Sequence, residues 1–168
     1  MPLSATVKAG LNATQTITGD LGSGDFRAQP SVNQAFTDGA GASQVDRMFS
    51  DTRTLAASAS ESLDLAGGAL PDAFGVALTF ARVKAIFVRA SALNTNNVVL
   101  SRPAANGVPF LDAASDAHSI APGGCVLLMR PDAAGWAVTA GTGDLITLAN
   151  SGAGTTVSYD IVILGAVT

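Results

Sequence analysis

The sequence predicts an all-β protein, an antiparallel β-sandwich of the jelly-roll type that carries an extended N-terminal arm. One reason is that apolar and polar residues alternate with a period of two through much of the chain beyond Arg53. A second is that clusters of Gly, Pro, Asn and Asp break this alternation every ~8 to 12 residues in the last third. A third is that the chain has one Glu and two Lys, which leaves little material for exposed helices.

The first 50 residues are predicted to form the arm, and residues 51–168 the sandwich. The arm segment consists mostly of polar and small residues and has few large apolar side chains, so it cannot form a core of its own. Its four larger apolar side chains are separated by turn formers and are expected to anchor it on another surface. These anchors are Phe26, Phe36, Met48 and Phe49. A disordered leader and a few short edge strands remain as alternatives.

The segment after the arm is predicted to contain three strands. Residues 53–65 alternate as one half-buried strand, and residues 74–80 alternate again after a glycine- and proline-containing break. Residues 83–88 also fit a short helix, since Phe80 and Phe87 lie at helical spacing. Their β-branched and aromatic side chains favour a strand.

Turns that contain Gly, Pro or Asn lead into the strands of the last third. These strands are predicted at residues 125–129, 136–138, 145–148 and 155–164, and the last two are predicted to pair as a β-hairpin. Cys125 is interpreted as a small buried residue of the first of them. As the single cysteine, it excludes an intramolecular disulfide.

Composition and charge argue against nucleic-acid and membrane partners. The net charge is −4, and the basic residues are scattered except for Arg82, Lys84 and Arg89, which are interpreted as a solvated or salt-bridged strand face. Apolar runs such as residues 161–164 are far shorter than the ~18 residues that span a bilayer. The N-terminus lacks the features of a signal peptide, so synthesis in a cytoplasm is expected.

No catalytic or metal-binding pattern is convincing, so the chain is not expected to be an enzyme or to need a cofactor. Asp116, His118 and Ser119 have the residue types of a hydrolase triad, but no nucleophile elbow surrounds any serine. Asp112, Ser115 and Asp116 match no calcium-binding loop. The glycine-rich stretches lack the Lys-Ser/Thr pair of a phosphate-binding loop.

A family resemblance rests on a set of stretches distributed over residues 63–165. They are Leu-Pro-Asp-Ala-Phe-Gly at 70–75, the run at 78–88, the run at 94–100, Ile-Ala-Pro-Gly-Gly at 120–124, Gly-Trp-Ala-Val at 135–138, Gly-Thr-Gly-Asp-Leu at 141–145 and the run at 157–165. Together they resemble a recurring pattern in small β-rich structural proteins of tailed bacteriophages. The first ~50 residues carry no part of this resemblance.

The resemblance implies a virion component that is made in the host cytoplasm. It implies a capsid decoration (cement) protein, which would stabilise the assembled head, or alternatively a tail- or fibre-associated module that binds a receptor or carbohydrate. The expected partners are the major capsid protein and further copies of the chain, with a homotrimer favoured. Self-assembly is also expected because Ala and Gly bury little area per residue.

Overall fold

The structure is a computed structural model that describes residues 2–168, and this part of the chain contains strands and turns but no helix. The predicted all-β class is therefore confirmed. In chain order the strands are β1 (Ala5–Gly10), β2 (Ala13–Gly19), β3 (Gly22–Ala28), β4 (Ser31–Asp38), β5 (Gln44–Val45), β6 (Arg47–Leu55), β7 (Ser60–Asp64), β8 (Leu70–Pro71), β9 (Ala77–Leu78), β10 (Arg82–Ala90), β11 (Val98–Ser101), β12 (Ala117–Ile120), β13 (Cys125–Met129), β14 (Trp136–Ala137), β15 (Leu145–Asn150) and β16 (Val157–Ala166).

Two sheets face each other around one core, as in a β-sandwich. The first sheet has the order β13, β10, β16, β6, with β14 beside β10, and the second has the order β12, β11, β15, β7. Alternate residues of β16 point inward, and Val157, Tyr159, Ile161 and Ile163 are all buried. They join a single apolar cluster to which both sheets contribute.

The eight sandwich strands pair in a nested order. The first pairs with the last, β6 with β16, and the second with the seventh, β7 with β15. The third pairs with the sixth, β10 with β13, and the fourth with the fifth, β11 with β12. Successive pairs of this series lie alternately in the first and the second sheet.

Residues 53–65 are two strands, so the prediction of one continuous strand is wrong. The chain reverses at residues 56–59, where Ser58 has a φ of 56° and the N–H of Ala59 donates to the carbonyl of Ala56 at 3.1 Å. The two strands enter different sheets. Alternation misled the prediction because apolar residues on both sides of this short turn face the same core.

Long-range pairing also overturns the predicted hairpin of residues 145–148 and 155–164. β15 pairs with β11 and β7 in the second sheet, whereas β16 pairs with β10 and β6 in the first. The six residues between β15 and β16, residues 151–156, instead carry the chain from the second sheet to the first. Residues 83–88 lie within β10 as predicted, so they form a strand and not a helix.

The predicted strand at residues 74–80 and the predicted burial of Cys125 are also wrong. Phe74 and Val76 lie at the tip of the β8–β9 hairpin, where the carboxylate of Asp72 accepts hydrogen bonds from both of their N–H groups, and Phe74 is 74% exposed. Cys125 is in a strand as predicted, but its side chain is exposed. Cys125 lies opposite Arg89 on the outer face of the first sheet. Successive side chains of β13 point to opposite faces, and Val126 and Leu128 are the ones that point toward the core.

The boundary between N-terminal segment and sandwich lies earlier than predicted. The strand β6 begins at Arg47 and belongs to the first sheet, so the sandwich starts before residue 51. The preceding segment is mostly strand as well, since β1 to β5 lie within residues 5–45.

Candidate interaction surface

Strands β1 to β4 form one long β-hairpin, which we call the N-terminal hairpin. β1 pairs with β4 from Ala5 opposite Phe36 onward, and β2 pairs with β3 up to Gly19 opposite Gly22, in the same register. The N–H of Leu11 donates to the carbonyl of Pro30 at 3.0 Å and continues the pairing between the two halves.

The two faces of this hairpin differ in chemistry, because paired residues of antiparallel strands lie on the same face. One face, which we call the apolar face, carries Ala5, Val7, Ala9, Leu11, Ala13, Ile17, Phe26, Ala28, Pro30, Val32 and Phe36, with Gln15 and Gln34 as exceptions. The opposite polar face carries Thr6, Lys8, Asn12, Thr14, Thr16, Thr18, Ser23, Asp25, Arg27, Gln29, Ser31 and Asn33. The hairpin is therefore an amphipathic ribbon.

The base of the hairpin packs its apolar face on the outer face of the first sheet. Phe36 and Val45 are buried there in a second apolar cluster with Ala85 and Leu164. Met48 is half-buried at the same cluster. The base is thus part of the folded body of the chain.

Lys84 ties this base to the sandwich. Its side chain is fully buried, and its ammonium group donates to the carbonyls of Gly41, Ala133 and Asp132, at 3.3 Å and 3.0 Å for the first two. Gly41 precedes β5, and the neighbouring Ser43 N–H donates to the carbonyl of Pro131 at 2.7 Å. Burial lowers the pKa of the Lys84 ammonium group, and the charge of nearby Arg82 lowers it further.

The burial of Lys84 corrects the interpretation of Arg82, Lys84 and Arg89 as one solvated or salt-bridged face. Arg82 donates to the carbonyl of Ala133 at 2.8 Å, and Arg89 pairs with Asp160. Arg82 and Lys84 therefore share the Ala133 carbonyl in the loop after β13, whereas Arg89 pairs separately with Asp160.

The distal half of the hairpin, residues 11–32, leaves its apolar face exposed. Ile17 is 73% exposed and Phe26 is 69% exposed, and Leu11, Leu21 and Val32 are exposed as well. No other segment of residues 2–168 covers these side chains. Bare apolar patches of this kind are uncommon on monomeric proteins, so the distal half is a candidate interaction surface.

Polar contacts hold the other face of the distal half together. The Thr16 hydroxyl donates to the carboxylate of Asp25 at 2.7 Å across the strands, and the Gln29 amide donates to the Asn12 side chain at 3.0 Å. Arg27 lies 3.9 Å from Asp25. These pairs support the strand pairing and keep a polar face toward water.

The four predicted anchors fall in three different places. Phe36 and Met48 lie at the base of the hairpin, and Phe49 faces the core of the sandwich. Phe26 alone of the four is exposed on the distal half. The other residues of the apolar face were not predicted from the sequence. Residues 5–17 and 22–36 do alternate with a period of two, which is the signal that could have revealed them. Ala, Thr and Gly occupy many of these positions, so the two faces differ little in hydrophobicity and side-chain size.

An apolar groove of about 340 Å³ runs beside β1 on the outer face of the first sheet. Val7 of the hairpin base lies on one side of it. A cross-strand row of Leu127, Phe87 and Val162 lies on the other side, on neighbouring strands β13, β10 and β16. These three side chains are half-buried, so the row is only partly covered.

The next cross-strand row on this face is polar and borders a cleft of about 530 Å³. Asp160 accepts a hydrogen bond from the Thr52 hydroxyl at 2.7 Å and from Arg89 Nε at 2.9 Å. The Thr52 hydrogen bond, followed by the Arg89 contact, lowers the pKa of the Asp160 carboxyl. Ser91 and Ser158 also line the cleft.

The residue types of a hydrolase triad have structural partners. The Asp116 carboxylate accepts from the N–H of Ala113 at 2.7 Å, and the Ser119 hydroxyl accepts from the Asn97 amide at 2.9 Å. His118 is exposed on β12. Within residues 2–168 no three His, Cys, Asp or Glu side chains gather as metal ligands.

Comparison with known proteins gives no match. No protein-family model matches the chain, and no curated protein and no solved structure is significantly similar to it. Over residues 2–168 there is also no helix long and apolar enough to cross a membrane.

Proposed function

We propose that this chain is a structural protein of a bacteriophage virion, a decoration protein that binds the assembled head and stabilises it. The observation that carries the proposal is the bare apolar face of the distal hairpin. A ribbon built in this way acts by contact with another protein surface, because its apolar side chains gain free energy only when a partner removes them from water.

The architecture supports the same proposal. The nested pairing of the eight sandwich strands is the pairing expected of a jelly roll, which we propose as the topology of the sandwich, and jelly rolls are frequent in viral capsid domains. The stretches that resemble phage structural proteins, within residues 63–165, all lie in the sandwich. Fold alone does not specify function, so the hairpin remains the deciding feature.

The mechanism would be stabilisation by selective binding. A protein that binds the assembled lattice but not the dissociated subunits stabilises the lattice by RT ln(1 + [L]/Kd) at each site. This amounts to about 2.7 kcal/mol per site when the free concentration is about 100 times Kd. Summed over the many equivalent sites of a shell, such contributions would oppose rupture by internal pressure.

A deletion confined to the distal half tests the proposal most sharply. Leu11 would be joined to Pro30 by an Asn-Gly turn, which shortens the hairpin and retains the base over Ala85 and Leu164. We expect the shortened protein to fold normally and to lose co-sedimentation with undecorated phage heads. The double variant Thr14→Asp with Thr18→Asp, on the polar face, is the control and should still bind.

Retained head binding by the shortened protein would refute the role of the hairpin. Electron microscopy of purified particles tests the location separately. Density for the chain on the head surface would support a decoration protein, whereas density on the tail would require the alternative function.

That alternative is a tail- or fibre-associated module that binds a receptor or carbohydrate, and the polar cleft is the observation that favours it. Arg89, Asp160 and Ser91 offer the mixed donors and acceptors that a sugar requires. Neither the single tyrosine nor the single tryptophan offers a stacking platform, since Tyr159 is buried and Trp136 packs against the core. Glycan-array binding that is lost in Arg89→Ala would establish this function instead.

A further inference from the structure

We propose that the apolar face of the distal hairpin docks into the apolar groove of a second copy of this chain, against the row formed by Leu127, Phe87 and Val162. This rests on the proposed role of the distal hairpin as a protein-binding surface and names a second copy of the chain as its direct partner, so the hairpin would contribute to head binding through the assembled oligomer.

The chain already contains this kind of contact once, within a single copy. At the base of the hairpin, the same apolar face presents Phe36 to the outer face of the first sheet, where it packs with Ala85 and Leu164. A hairpin face and a sheet face of this composition are therefore complementary. The contact is a sheet packed on a sheet, for which interdigitated apolar side chains are sufficient.

The receiving surface continues directly from that contact. Ala85 and Leu164 form one cross-strand row, and Phe87 and Val162 form the next row of the same strands. The first row is covered by the base of the chain's own hairpin, whereas the second is left half-buried in the groove. A hairpin from a second copy would extend the cover by one row.

The receiving apolar surface and the hairpin are both narrow. Beyond the row of Phe87, the outer face turns polar at Arg89 and Asp160, which are already paired with each other. The apolar strip is therefore narrow, as is the two-stranded ribbon that would cover it. Ile17 and Phe26, the large exposed side chains of the distal strands, would enter the groove.

Each copy has one distal hairpin and one groove, so the contact is head-to-tail. Contacts of this kind close into a ring when the rotation between neighbours permits, and they otherwise extend as a filament. A ring of three copies would give the homotrimer that the family resemblance implies. No capsid is needed for this assembly.

Complementation between two variants tests the inference in purified full-length protein. The hairpin variant is Ile17→Asp with Phe26→Asp, and the groove variant is Leu127→Thr with Val162→Thr, in which threonine retains strand propensity. Sedimentation should find an oligomer for the natural sequence and a monomer for each variant alone. An equimolar mixture should form dimers, since one hairpin and one groove in each pair remain intact.

The control Thr14→Asp with Thr18→Asp adds the same charge to the polar face and should leave the oligomer unchanged. A monomer for the natural sequence at high concentration would overturn the inference. An oligomer formed by the groove variant would do so as well, because the hairpins would then pair with each other or another surface would mediate assembly. A mixture that yields no dimers contradicts it too.

A thiol cross-link gives a second test that needs no change in the groove. Cys125 is exposed one row from Leu127, and Gln15 lies on the apolar face beside Phe26. Under mild oxidation, Gln15→Cys should form an intermolecular disulfide with Cys125, detected by peptide mapping. Thr16→Cys, on the polar face, should not form it. Equal cross-linking of the two variants would exclude the proposed orientation.

Discussion

The hydroxyl of Tyr159 in the first sheet donates a hydrogen bond to the carboxylate of Glu61 in the second sheet. Arg53 donates to the same carboxylate at 2.8 Å and also contacts Asp51 at 2.8 Å. The Glu61 hydrogen bond is the main reason that the pKa of Arg53 is raised. These residues close the sandwich on the side where the edge strands β6 and β7 lie, so a polar cluster joins the two sheets.

Removal of the carboxylate should destabilise the fold through this cluster. Glu61→Ala leaves the buried Tyr159 hydroxyl and the Arg53 guanidinium without their shared acceptor, which costs about 1–3 kcal/mol for a buried unsatisfied group. Urea unfolding, followed by Trp136 fluorescence, measures the loss. Tyr159→Phe leaves the Arg53–Glu61 pair intact and should lose less. A smaller loss in Glu61→Ala than in Tyr159→Phe would contradict this account.

Tyr159 should resist ionisation in alkaline solution. Burial, followed by the hydrogen bond to Glu61, raises the pKa of its hydroxyl far above the value of about 10 in unfolded chains. Because of this shift, the protonated Tyr159 hydroxyl adds to the free energy of unfolding. The contribution is fully present below pH 10, and it is lost as the pH rises above 10, because only the unfolded state releases the proton there.

The chain has a single tyrosine, so phenolate absorbance reports Tyr159 alone. The absorbance should appear only together with the loss of β-structure in circular dichroism. Phenolate absorbance near pH 10 in a folded protein would show that the hydroxyl is accessible and unshifted. In Tyr159→Phe, the midpoint of alkaline unfolding should move to higher pH.

The Asp160 carboxylate should contribute to stability at neutral pH and lose this contribution in acid. Its pKa is lowered in the folded state by the Thr52 hydroxyl and then by Arg89. The contribution is present above the unfolded value of about 3.9 and disappears as the pH falls through the lowered folded value. Urea unfolding at several pH values between about 6 and 2 should therefore show a shallower acid decline for Asp160→Asn than for the natural sequence.

The matched control is Asp20→Asn, at the turn of the N-terminal hairpin and remote from the sandwich. Its acid decline should equal that of the natural sequence. Parallel acid declines for Asp160→Asn and the natural sequence would show that the contacts with Thr52 and Arg89 do not bear on stability.

Lys84→Met should loosen the base of the hairpin. The substitution retains an unbranched side chain of similar length but leaves the carbonyls of Gly41 and Asp132 without their buried donor, and about 1–3 kcal/mol of stability should be lost. Amide exchange at Ser43, whose N–H is bonded to the Pro131 carbonyl, should accelerate more than exchange within β16. Lys8→Met, at an exposed position, should change neither quantity. Unchanged amide exchange at Ser43 in Lys84→Met would show that Lys84 does not hold the base of the hairpin on the sandwich.

The strands of the sandwich that carry large side chains were predictable from the sequence. In β16, Val157, Ile161 and Ile163 share one parity with enough contrast to show both the strand and its inward face. In the N-terminal hairpin the same period is present, but Ala, Gly and Thr carry most of it, and the strands were interpreted as an arm with isolated anchors. The surface was not predicted because the alternating residues differ little in side-chain size, although the alternation itself is present.

Other features depended on contacts that local patterns do not encode. The alternation through Ser58 did not reveal that the chain turns there, because both flanking strands face one core. Glu61 breaks the alternation because it reaches Arg53 and Tyr159 across the sandwich. Lys84 resembles a surface cation in sequence, yet three carbonyls from two distant loops enclose it.

The all-β class and the polarity of most strand faces follow from the sequence alone, because the pleat places successive side chains on opposite faces. Only the tertiary structure decided which apolar strand faces pack against each other. An apolar face can pack on many others at similar free energy, and long-range strand pairing selects among them. That selection places Phe36 on the first sheet and leaves Phe26, on the same face of the same hairpin, in contact with water.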